Sequence, residues 1–173
     1  MPEEKETWIQ MVALTATVLA VLAAIASLRA SSYSTKVQIA ATKEANQWAY
    51  FQSKSIKEHS YALNRDILAS VRLQEIKNPK AQKYLNNKIK EYEDEISRYG
   101  KEKDQIKQGA EELVKEQEGY KLKNANFSLA VMLLQIAIMC SAVGALIKKK
   151  ILWLMGLILG GWGVYYFVMG FLR

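Results

Sequence analysis

The search for chemistry starts with His59 and Cys140, each the single residue of its kind in a chain of 173. One imidazole and one thiol make neither a metal-ligand spacing nor a nucleophile–base pair. His59 follows Glu58, but neighbouring positions on a helix point apart, so the two read as a solvated or interfacial histidine beside an acid. Cys140 lies inside an apolar run and has no partner for an intrachain disulfide. It reads as a small residue at a helix contact. No glycine-rich phosphate loop follows a strand, because the pattern contains no strands. The acids of the middle region are spread along charged helix faces. Gln135 is the one strongly polar residue deep in an apolar run, and its amide needs a partner across a helix contact or a place in a pore lining. These residues specify no enzyme, no cofactor and no metal.

The elements that hold them are legible from hydropathy. Trp8 to Leu28, Asn126 to Ile147 and Ile151 to Leu172 carry no Asp, Glu, Lys, Arg or His. Each is close to the roughly 20 residues that cross a bilayer as a helix. The expected organisation is a short polar tail (1–7), a first transmembrane helix (8–29), an extramembrane region (30–125), and two closing transmembrane helices (126–147 and 151–172). The tail is acidic and the first run is long, which makes it a membrane helix and not a cleaved signal peptide. The extramembrane region holds 18 Lys+Arg against 14 Asp+Glu. Mixed signs of this kind are no basic stripe, so nucleic acid is excluded as a partner.

From Glu3 to Asn78 there is no glycine and no proline. This predicts one long helix that leaves the membrane and turns back at a tip at 77–80, with Pro79 opening the next helix. The returning arm repeats apolar positions at four and three: Leu85, Ile89, Tyr92, Ile96, Tyr99, Lys103, Ile106, Ala110, Leu113, Gln117 and Tyr120. That is the seam of a coiled coil. Arg29 to Pro79 and Pro79 to Asn126 are nearly equal in length, as a hairpin rooted at both ends requires. The fold class expected is therefore an all-α membrane protein, with three transmembrane helices and a long antiparallel coiled-coil hairpin between the first and second.

Contact faces are the candidate functional residues. Ala13, Ala16, Ala20, Ala23 and Ser27 put small side chains on one face of the first span, and Gly156, Gly160 and Gly163 do the same in the last. The outgoing arm shows two stripes. One is Ala41, Ala45, Ala49, Gln52, Ile56, Ser60, Leu63 and Ile67; the other is Trp48, Phe51, Ser55 and Ala62. Two stripes imply two partners, the returning arm and a second subunit. Trp48, Phe51, Gln52 and Gln135 join the expected oligomer contacts, with Lys54 and Lys57 as ion-pairing residues beside them.

Orientation is contested within the sequence. Counting Lys and Arg near the membrane favours a cytoplasmic hairpin. The tight turn Lys148-Lys149-Lys150 is a retention signal that favours the opposite, with the hairpin outside.

The stretch from Glu44 to His59 (EANQWAYFQSKSIKEH), the opening from Trp8 to Ala23 and the closing Gly163 to Phe171 (GVYYFVMGF) resemble an uncharacterised bacterial membrane family, domain of unknown function 4337. Ser53 departs from the alanine expected there. The resemblance implies a multi-pass protein of the bacterial inner membrane and brings no reaction or ligand. Together these readings predict a homo-oligomeric, membrane-anchored scaffold whose partners are itself, the lipid bilayer and another membrane or periplasmic protein. The alternative is an oligomeric channel or transporter with a pore near Gln135 or the Ala13–Ala23 face.

Overall fold

The computed structural model describes residues 3–73 and 78–172, with side chains from Thr7 onward. The described residues form three helices and no strand: α1 (Glu3–Arg72), α2 (Pro79–Ile147) and α3 (Lys150–Leu172). Each helix is long and apolar enough over part of its length to cross a membrane. In α1 no breaker interrupts the turns. Thr15, Thr17 and Thr35 satisfy their hydroxyls on carbonyls four residues back, at Met11, Ala13 and Ser31, which suits an apolar setting.

The end of α1 differs from expectation. The helix stops at Arg72, where the Leu73 amide reaches both Ala69 and Ser70 carbonyls at 3.3 and 3.2 Å. Asn78 caps α2 instead: its Oδ1 accepts from the Lys80 amide at 3.0 Å, and its carbonyl accepts from Gln82 at 3.1 Å. With Asn78 as cap and Pro79 as first helical residue, both belong to α2. Lys77, assigned to the expected tip, lies outside the described residues.

The α2–α3 connection is as short as the trilysine implies. Lys148 is left-handed (φ 57°). The Lys148 and Lys149 amides close on the carbonyls of Ala145 and Gly144 at 3.3 and 3.0 Å. This is the paired-bond termination that usually carries glycine, and Lys150 already starts α3.

Two compact units result. The first comprises the chain through Ile39 together with the chain from Glu116 on. Its core is one cluster of Leu19, Ala23, Leu134 and Ala137 and another of Ala26, Phe127 and Ala130. Gly156, Gly160, Gly163 and Gly170 are buried on one face of α3. A Cβ at Gly163 would stand 2.8 Å from Leu134 Cγ, and one at Gly156 would stand 2.8 Å from the Ala137 carbonyl. Glycine is required there because the helix backbones meet. Trp153 donates to Thr15 Oγ1 at 3.2 Å.

The second unit is Ala40–Lys115. Its contacts pair rising numbers on α1 with falling numbers on α2. Gln47 lies beside Gly109, Glu58 pairs with Lys103, Tyr61 meets Tyr99 and Tyr92, and Arg72 meets Asn86. All eleven residues of the seam read on α2 are buried or half-buried.

Candidate functional site

In the second unit the geometry is densest around Phe51. Trp48 meets Phe51 edge-on at 5.7 Å between centroids and donates its indole N–H to Glu44 at 3.3 Å. Phe51 is half-buried with the Lys103 ammonium over its ring at 5.6 Å. That ammonium pairs with Glu58. One residue along α2, Glu102 takes Lys54 at 2.6 Å, and Lys54 also stands over Tyr50 and Tyr99. The result is two ion pairs crossing between α1 and α2, bedded on aromatic rings. The hydrogen bond to Glu102 raises the pKa of Lys54, and the same bond holds Glu102 below the usual carboxylate range. Within the clasp Lys54 is met by Glu102 and Lys103 by Glu58. The clasp fixes register. Lys57, expected beside it as an ion-pairing residue, forms no ion pair among the described residues.

The inward face of α1 in this unit is Glu44, Gln47, Phe51, Lys54, Glu58, Tyr61, Arg65 and Leu68, all half-buried. It alternates by three and four but is mostly polar. Of the more apolar stripe, Ala41 is half-buried, while Ala45, Ala49, Gln52, Ile56, Ser60, Leu63 and Ile67 are exposed; Ile56 retains 71% of its surface and Ile67 58%. Sequence reasoning missed the polar seam because hydropathy hides it. The available signal was Lys103 at a core position of α2, which needed an acid opposite.

In the first unit the small-residue stripe is split. Ala16 is half-buried and Ala23 buried, whereas Ala13, Ala20 and Ser27 are exposed. The face that packs on α2 and α3 is rotated toward Val12, Leu19, Ala23 and Ala26, because larger side chains fill the space that the α3 glycines leave. Gln135 is exposed, and its amide has no hydrogen-bond partner among the described residues. Cys140 is half-buried and His59 exposed. Trp162, Tyr165 and Tyr166 line a shallow groove of about 350 Å³ on α3. Among the described residues, no three His, Cys, Asp or Glu side chains gather as a metal site.

A family model, described as a domain of unknown function (DUF4337), matches residues 8–173. The chain belongs to the DUF4337 family. The match takes in all three helices' apolar stretches and the clasp, so the features above lie within the family domain. Comparisons with curated proteins and with solved structures gave no match.

Proposed function

We propose that this DUF4337 chain is a homo-oligomeric, membrane-anchored scaffold. In this reading residues 30–125 form an antiparallel coiled-coil hairpin, rooted in a bacterial inner membrane through spans at 8–29, 126–147 and 151–172. The hairpin stands on the periplasmic side, where it holds a membrane or periplasmic partner.

The observation that carries the reading is the inverted use of α1. Between Ala40 and Arg72 the polar face packs on α2, while Ala45, Ala49, Ile56, Leu63 and Ile67 are left outside. The exposed side of α2 in the same unit is otherwise charged or polar, with Tyr84 its one large apolar residue. Lipid does not reach an extramembrane stripe, and apolar side chains at heptad spacing suit a helix of another copy. Copies inserted in one membrane share polarity, so their α1 helices run parallel and the stripe meets itself. The test is chemical cross-linking through Leu63→Cys in membranes. A covalent dimer is expected from Leu63→Cys and none from Lys101→Cys on the polar exterior of α2. Equal capture at both positions, or none at either, contradicts the reading.

Gln135 favours a second reading, an oligomeric channel. An amide exposed within a span needs either a partner copy or water. Conductance in planar bilayers that falls on Gln135→Leu supports the channel. A tight assembly without conductance supports the scaffold.

A further inference from the structure

The chain just outside the first two apolar runs carries cations that no acid answers. Arg29, Lys36 and Lys123 form no ion pair with any described carboxylate, whereas Lys54, Lys88, Arg98, Lys103 and Lys107 all do. Composition explains the contrast: no Asp or Glu occurs between Thr7 and Lys43, and none after Glu118. The nearby Glu116 is taken by the Tyr120 hydroxyl at 2.7 Å, a bond that pushes the Tyr120 phenol up.

What holds these cations is a set of rings. Lys36 stands over Tyr33 and Tyr120 at 5.2 and 5.4 Å, Lys123 stands over Tyr33 at 5.7 Å, and the Arg29 guanidinium stands over Phe171 at 5.4 Å. The platform is anchored in the core, because Tyr33 stacks on the fully buried Phe127 at 5.8 Å and Phe127 meets Phe171 edge-on at 5.1 Å. Two ammonium groups set against one tyrosine ring place like charges in one neighbourhood, and an anion taken up there offsets their repulsion. Arg29 directly follows Leu28, and Lys123 lies just before Asn126, so the cluster sits at the depth where headgroups begin.

The geometry points to a binding site for the phosphate of an anionic phospholipid, held by Lys36 and Lys123 above Tyr33 and flanked by Arg29. The same chemistry would take a free phosphate ester. Choline headgroups are disfavoured, because the ring faces already hold ammonium groups. The site does not depend on the scaffold reading, since it lies within one copy of the chain.

The test uses full-length protein in nanodiscs of phosphatidylglycerol or phosphatidylcholine. Lipid retained after detergent exchange is measured by native mass spectrometry. The wild-type chain is expected to retain phosphatidylglycerol preferentially, with inorganic phosphate in excess failing to displace it. Lys36→Gln with Lys123→Gln is expected to weaken retention by about thirtyfold. Lys36→Arg with Lys123→Arg, which keeps both charges, retains it, as does the charge-matched control Lys80→Gln with Lys83→Gln. Displacement by inorganic phosphate assigns the site to soluble phosphate and overturns the lipid. Equal retention of phosphatidylcholine, or equal loss in the Lys80/Lys83 control, overturns the site.

Discussion

At the scale of single residues, glycines divide by what stands opposite them. Gly163 and Gly156 have no room for a methyl group, while Gly119 has nothing within 4 Å of an added Cβ. Gly163→Ala is expected to lower the thermal midpoint of the detergent-solubilised protein, at a cost of about 1–3 kcal/mol from overpacking. Gly119→Ala is expected to raise it, with a gain of up to about 1 kcal/mol in helix propensity. Circular dichroism melts read both. Lys148 is held left-handed at φ 57°, so Lys148→Gly should add roughly 1 kcal/mol in the same assay. The clasp makes a pH prediction. The carboxyl of Glu102 is depressed by Lys54, so its contribution is present above the ordinary carboxylate pKa and is lost as pH falls through the lowered value. Lys54 is raised by Glu102, so its contribution persists through the ordinary lysine range and is lost only as pH rises through the raised value. Stability of the 40–115 unit should therefore stay flat through neutral pH and fall below about pH 4. Glu102→Gln should flatten that acid limb in pH-dependent melts.

At the scale of elements, three helices and their approximate ends were readable because periodicity, breakers and hydropathy agree. Leu85 to Tyr120 kept its spacing against a partner, so burial follows the pattern that sequence shows. The partner face on α1 was readable only in part, through Phe51, Ser55 and Ala62 of one stripe, which are half-buried. Glu44, Gln47, Lys54, Glu58 and Arg65 are polar side chains whose burial depends on opposite charges supplied from α2, and no single-helix property reports that. The end of α1 at Arg72 was not readable for a related reason. Absence of glycine and proline says where a helix is free to continue, while the Asn78 cap shows where the next helix takes over. Asn78→Ala should cost about 1 kcal/mol, read as faster amide hydrogen exchange in the first turn of α2. The small-residue stripe was partly legible. Ala16 and Ala23 face the fold, and the neighbouring larger residues Val12 and Leu19 share that face because the α3 glycines make room.

At the scale of the whole molecule, the chain leaves several helix surfaces open. Ile56, Leu63 and Ile67 are exposed on the 40–115 unit, Ala13, Ala20 and Ser27 are exposed on the first unit, and there the Gln135 amide has no hydrogen-bond partner among the described residues. None of these is a reacting group, and all suit helix contacts with another copy. Leu63→Glu should weaken such an assembly by about 2 kcal/mol or more, since a buried leucine is worth about 1.5–3 kcal/mol, and Gln135→Leu by about 1 kcal/mol. The most direct test is the mass of the particle extracted from membrane, measured by native mass spectrometry after detergent removal. The scaffold reading predicts an integral multiple of the 19.6 kDa chain that shifts toward monomer on Leu63→Glu. A wild-type particle of a single chain would contradict it.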